Sequence, residues 1–272
     1  MTMTARKTWH AKMRGIAMFE EFYYGSAWHW PLKYVPRVML SFNFVRTLKK
    51  AWDIDIPFML DSGAYSVVLK YGRYLWEPKD YLDSIEKWQP DVAWTMDYPC
   101  EPSARKMGGY DVLAAQEMTN ENTRKMIDYG VSSVVQGWEI RDYLINLDKI
   151  KDDGLMTERL GIGSVCRRGQ TDQIVNIIRA IHRNVPRWVK LHGFGIKTSI
   201  LKTEARYLLY SADSTAWAYT WGRWSDKHIT MERKVNRLND YISLIEPRLL
   251  TTQETLPIAE EQILENEVNK WI

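Results

Sequence analysis

Three aspartates in this chain stand where an apolar run stops. Asp61 follows Ile56-Pro57-Phe58-Met59-Leu60, Asp97 follows Asp91-Val92-Ala93-Trp94-Thr95-Met96, and Asp213 follows Leu208-Leu209-Tyr210-Ser211-Ala212. Short apolar runs bounded by turn residues predict buried strands, so each carboxylate is expected at a strand end. In Asp61-Ser62-Gly63-Ala64-Tyr65-Ser66 small residues follow the carboxylate, which lets a ligand lie on the backbone, and Tyr65 offers a flat ring beside it. Asp213 is flanked by Ser211, Ala212, Ser214 and Thr215, which leave it accessible. Two carboxylates at different strand ends can share nucleophilic and proton-transfer work. On a sugar, one would attack the anomeric carbon while the other handles the proton. The competing reading of residues 61–66 is structural: Asp61 opens a turn and Gly63 supplies positive φ.

The elements that must position these groups repeat along the chain. Strands are predicted at Arg37–Ser41, Pro57–Asp61, Asp91–Asp97, Ser132–Trp138 with its loop, Arg159–Gly163, Arg187–Gly193 and Leu208–Asp213. From the second to the seventh they end at Asp61, Asp97, Gln136, Gly163, His192 and Asp213, at spacings of 36, 39, 27, 29 and 21 residues. A βα unit takes roughly 30 residues. Helices are predicted between them at Val45–Trp52, Pro78–Trp88, 111–129 with Gly130 as the stop, 139–150 and Thr171–Asn184. This is the pattern of a parallel α/β sheet with crossover helices, in which chemistry gathers at the carboxyl ends of the strands. The eighth strand of a (β/α)8 TIM barrel falls either in the aromatic N-terminal region or near Ala218 to Trp221. Residues 1–34 are read as an aromatic cap. Residues 226–272 are read as a C-terminal helical segment, with a long helix from Lys227 to Ile245 and another in the acidic tail. No long linker interrupts the chain, so residues 1–272 are expected to form a single domain.

Composition bounds the function. With 272 residues and 45% hydrophobic residues, the chain can bury a sizeable core. A formal charge of +3 does not by itself mark a nucleic-acid binder. Thirteen Trp and fifteen Tyr suit a packed core or a stacking surface. Two distant cysteines, Cys100 and Cys166, exclude a disulfide framework and a four-cysteine zinc site, and no structural metal is expected. There is no apolar run of about 18 residues and no signal-type stretch after Met1. The expectation is a soluble protein of a reducing, cytoplasmic compartment. The absence of a Gly-x-Gly-x-x-Gly after the first strand argues against a dinucleotide cofactor, and none is expected.

The strand ends resemble one family in order. Asp61-Ser62-Gly63-Ala64-Tyr65 resembles the Asp-Ser-Gly-Gly-Tyr/Phe segment of tRNA-guanine transglycosylases, and Val135-Gln136-Gly137 their Val-Gln-Gly. Leu160-Gly161-Ile162-Gly163 is similar to Leu-Ala-Val-Gly, and Leu191-His192-Gly193-Phe194-Gly195 to Leu-Met-Gly-Val-Gly. Asp213 follows at the place of the nucleophile, and the likeness covers about residues 35–220. The family is a (β/α)8 barrel that exchanges guanine for a 7-deazaguanine base. The resemblance implies that Asp213 attacks C1′ and that Asp61 is the general acid/base. It implies that Asp97, Gln136 and the Gly137 amide read the polar edge of the base, with Ser62 and Gly163 lining it. Tyr65 and His192 would stack on its two faces. The competing readings are a strand cap for Asp97 and a core histidine for His192.

The family's RNA enzymes carry three cysteines and a histidine for zinc near the C-terminus, whereas no cysteine follows Cys166 here. A short, zinc-free chain is more similar to the DNA transglycosylases of phage and bacteria, so DNA is the expected partner, presented flipped or single-stranded. Arg167, Arg168, Lys190, Lys197 and Arg223, with Arg105 and Lys106, are candidates for holding the backbone. Trp138, Phe194, Trp221 and Trp224 are candidates for stacking on bases. Gly163 is followed by Ser164 where enzymes using an aminomethyl base have Glu, so the 7-cyano base is expected over the 7-aminomethyl base. The alternatives are a transglycosylase acting on tRNA, a non-catalytic nucleic-acid-binding barrel subunit, and an unrelated barrel glycosidase.

Overall fold

The computed structural model describes residues 19–219 and 229–250. Eight strands form one all-parallel sheet: β1 Glu21–Ser26, β2 Val38–Ser41, β3 Phe58–Asp61, β4 Val92–Ala93, β5 Ser133–Val135, β6 Arg159–Ile162, β7 Lys190–Gly193 and β8 Ser211–Ser214. Their order is β4-β3-β2-β1-β8-β7-β6-β5. The main helices are α1 Ala64–Tyr71, α2 Pro78–Trp88, α3 Pro102–Gly108, α4 Val112–Met126, α5 Ile140–Asp152, α6 Thr171–Asn184 and α7 Met231–Leu250.

The sheet curls until side chains from distant strands meet. On its concave side Tyr23, Met39, Met59, Val92, Trp94 and Val134, from β1 to β5, pack with Phe194 beyond β7. Arg159 of β6 also reaches Glu21 of β1 across two intervening strands, Nη1 donating to Oε2 at 2.8 Å. At the two edges Trp94 and Ser132 form one parallel bridge, with Ser132 N donating to Ala93 O at 2.8 Å and Thr95 N to Ser132 O at 2.9 Å. The convex side is covered by helices. Ile174, Ile177, Ile178 and Ile181 recur on one face of α6, the spacing that buries a helix against a sheet. Pro78 opens α2 and costs no hydrogen bond there, because the first turn has no acceptor for its missing N–H.

Two expectations are corrected. The segment read as a cap contributes β1, at the centre of the sheet between β2 and β8. Its aromatic run is a strand buried on both faces: Tyr23 points into the concave core, while Phe22 and Tyr24 pack on Tyr241 of α7. Tyr24 also donates to Glu246 Oε1 at 2.9 Å. Of the two places offered for an eighth strand, the N-terminal region supplies it. The helix expected at Val45–Trp52 is instead a single turn, Phe42–Val45, followed by irregular chain that lays Leu48, Trp52, Ile54 and Ile56 on the core. The rest of the acidic tail lies outside the described residues, and no described helix is long and apolar enough to cross a membrane.

Candidate active site

The carboxyl ends of β3, β4, β5, β6 and β8 converge on a cluster of acids. Asp61 ends β3, and Gly63 turns the chain directly into α1. Gly63 has φ +78°, and a Cβ there would stand 2.8 Å from both Asn43 Cβ and Ser41 Oγ, so both the turn and the close packing require glycine. Its N–H donates to Asp61 Oδ2 at 3.0 Å. The small-residue stretch after Asp61 is thus a helix start, and Tyr65 stands in its first turn with the Arg167 guanidinium 5.1 Å from its ring. The turn reading and the site reading hold together: the turn aims the carboxylate.

Burial pushes the Asp61 carboxyl up to about 7, with the charges of Asp97 and Asp213 adding to the rise. Asp97, three residues beyond its bridge residue Trp94, rises to about 6, mainly through burial. Its Oδ1 accepts from Ser62 Oγ at 3.1 Å and its Oδ2 from Gln136 Nε2, while its carbonyl accepts from Tyr74 at 2.8 Å. Asp97 is therefore more than a strand cap: its carboxylate is gripped by the ends of β3 and β5. Gln136 is fully buried, and its backbone N–H donates to Asn146 Oδ1 at 2.8 Å. Gly163 makes room for it, because a Cβ there would lie 2.2 Å from Gln136 Nε2. Gly137 likewise admits Tyr143, whose hydroxyl donates to Gly163 O at 2.8 Å.

Asp213 sits on β8, opposite Tyr23 in the register. Its Oδ1 accepts from Gly195 N at 2.9 Å and faces His192 Nε2 at 3.4 Å. His192 Nδ1 lies 2.9 Å from Ser211 Oγ. Ser211 donating to Nδ1 leaves the proton on Nε2, directed at Asp213. Burial lowers the tendency of His192 to protonate, which keeps it neutral. No described residue hydrogen-bonds Asp213 Oδ2. Asp213 is only 7% exposed, less accessible than its small neighbours in the sequence suggest, and one oxygen is fixed while the other takes no hydrogen bond from a described residue.

This corrects the stacking role expected of His192. The residue is wholly buried, with Trp94 and Phe194 each at a ring-centroid distance of 4.8 Å. Neither face is open to a base; the core-histidine reading holds, with the addition that His192 supports Asp213.

The basic candidates separate. Arg167 is exposed beside Tyr65. Arg168 is buried: Nε donates to Ser164 O at 3.1 Å, another nitrogen to Trp138 O, and the guanidinium lies over the Trp138 ring. It braces the loop after β6 through these two donors and is 6% exposed, which does not suit the backbone contact expected of it. Lys190 does not suit that role either. It is the first residue of β7, at the end away from the acids, and is paired with Glu158 at 2.7 Å. Lys197 donates to Arg168 O at 2.6 Å, and Arg105 Nε to Cys100 O at 3.0 Å. Arg223, Trp221 and Trp224 lie outside the described residues.

The sequence reading missed Glu101, which is 3% exposed and touches Ser164 Oγ at 2.8 Å. A glutamate before the Pro102 that opens a helix reads as a solvated N-cap, and nothing local marks it as buried.

A parallel sheet with buried acids at its strand ends defines an α/β enzyme of the class that works at that end of the sheet. The model of one family, DpdA (DeoxyPurine in DNA protein A), matches residues 20–227. The chain belongs to this DNA-modifying, transglycosylase-like family, and its substrate is DNA. A comparison with curated proteins gives no match.

Proposed function

We propose that the chain replaces guanine in DNA with a 7-deazaguanine base through a covalent glycosyl intermediate on Asp213. The carrying observation is the asymmetric Asp213 carboxylate, with Oδ1 held by Gly195 and His192 and Oδ2 without a hydrogen bond from any described residue. Oδ2 attacks C1′ of the deoxyguanosine and the C1′–N9 bond breaks. The electron pair leaves with guanine, which takes a proton from protonated Asp61. The incoming base then gives its N9 proton to Asp61, N9 attacks C1′, and Asp213 is released. An acid with a pKa of about 7 serves both half-reactions at neutral pH. Asp97 reads the polar edge of the base beside Gln136 and the Gly137 amide, Ser62 orients Asp97, and Tyr65 covers one face.

The bridge between Trp94 and Ser132 supports a closed (β/α)8 barrel, formed by a single domain. A stacked base cannot enter the end of such a barrel, so the guanosine is flipped or single-stranded. Ser164, a neutral hydroxyl where a carboxylate would suit an ammonium group, favours the 7-cyano base.

The test is incubation of the protein with labelled 7-deazaguanine bases and either DNA or tRNA, with denaturing electrophoresis for the adduct. The expected result is label in DNA and a protein–DNA adduct that Asp213→Ala abolishes. An adduct formed by the Asp213→Ala protein would overturn the assignment.

A further inference from the structure

Ser164 has more partners than its hydroxyl can satisfy if they are all in their ordinary states. Its Oγ accepts from Cys100 N at 2.7 Å, and lies 2.7 Å from Gln136 Oε1 and 2.8 Å from Glu101 Oε2. A hydroxyl carries one proton and two lone pairs. With Glu101 ionised, two acceptors compete for that proton and one is left unsatisfied in a buried place. Turning the Gln136 amide over does not help, because its oxygen would then face the Asp97 carboxylate. With Asp97 ionised, one assignment satisfies every atom. Glu101 carries a proton and donates it to Ser164, Ser164 donates to Gln136 Oε1, and Gln136 Nε2 donates to Asp97 Oδ2. Ser164 adopts φ +55°, uncommon for a residue with a side chain, so the surroundings hold it in place.

Among the described residues no cation forms an ion pair with Glu101. The Arg168 charge favours ionised Glu101, but its guanidinium gives Nε to Ser164 O and another nitrogen to Trp138 O. Cys166 Sγ lies 3.8 Å from the other Glu101 oxygen, and the Glu101 charge is felt by Asp97 and Cys100. Arg105, on α3, turns its Nε to Cys100 O. Burial raises the Glu101 carboxyl above its ordinary value, in the same direction.

We propose that Glu101 is a positioning residue held as the neutral acid, whose proton sets the direction of the Ser164–Gln136–Asp97 chain. It thereby orients the base-reading pair and leaves this wall without a free anion for a cationic substituent. The role in base selection rests on the transglycosylase reading; the protonation of Glu101 does not.

The experiment therefore has two arms. In the first, infrared difference spectra of wild type against Glu101→Gln at near-neutral pH show the carbonyl band of a protonated carboxyl. Loss of an ionised-carboxylate band instead overturns the proposal. In the second, base exchange into DNA is measured with the 7-cyano and 7-aminomethyl bases. Glu101→Gln, whose amide N–H donates as the acid does, stays within about threefold of wild type in kcat/KM for the 7-cyano base. Ser164→Ala and Glu101→Ala fall by about tenfold or more, the scale of one buried hydrogen bond. A tenfold loss in Glu101→Gln, or a wild-type preference for the aminomethyl base, overturns the role in selection. Should wild type exchange no base into DNA, the transglycosylase reading fails while the infrared arm still decides the state of Glu101.

Discussion

Replacing Asp61 by Asn should abolish exchange and yet stabilise the fold, in a way that depends on pH. Burial and two neighbouring carboxylates raise the Asp61 carboxyl from 3.8 to about 7. The folded chain therefore binds a proton at this site more tightly than the unfolded chain. The stabilisation from that proton is complete below 3.8 and is lost as pH rises through 7. At ~1.36 kcal/mol per unit, the rise corresponds to roughly 4 kcal/mol as an upper bound. Coupling to Asp97 and Asp213 and partial solvent access reduce this to about 1–2 kcal/mol. Asn keeps an oxygen for the Gly63 N–H and never ionises. At pH 8 the variant should melt higher by roughly 2–8 °C, the shift expected of a chain this size. At pH 4 the two proteins should melt together. The assay is thermal unfolding at both pH values, with base exchange measured alongside. A variant less stable at pH 8, or one equally stabilised at both pH values, would falsify the account of Asp61 as a strained, functional acid.

Three further outcomes follow from the same geometry. Gly163→Ala should cost roughly 3 kcal/mol, because a Cβ 2.2 Å from Gln136 Nε2 overpacks the site and displaces Gln136 from Asp97 and Ser164; an unchanged melting temperature with intact base binding would count against it. Arg167→Ala should flatten the slope of log DNA affinity against log salt by about one while leaving stability unchanged. Arg168→Ala should lower stability, since Ser164 O and Trp138 O lose their buried donor; equal effects of the two substitutions on the salt slope would show that the burial of Arg168 has been misjudged.

The strand ends were legible in the sequence because they are local. An apolar run followed by Asp, Gln, Gly or His marks where a buried strand leaves the sheet, and β3, β5, β6, β7 and β8 lie within those predicted runs or overrun them by one residue. Pro78–Trp88 was delimited in the same way, by a proline at a first turn, and the helix predicted at Thr171–Asn184 has those bounds. β1 was not, since Glu-Phe-Tyr-Tyr-Gly-Ser is buried on both faces and carries no alternation.

What the tertiary structure alone decided is which atoms meet across the curled sheet. Arg167 and Arg168 are adjacent and chemically alike, yet one is exposed and the other is buried on Trp138. His192 and Lys190 share a strand, yet one supports Asp213 and the other lies at the far end. Glu101 reads as a surface cap, yet it meets Ser164 from 63 residues away in the chain. Periodicity and turn chemistry depend on neighbours along the chain, whereas burial, pairing and proton affinity depend on neighbours in space, which only the curling of the sheet brings together.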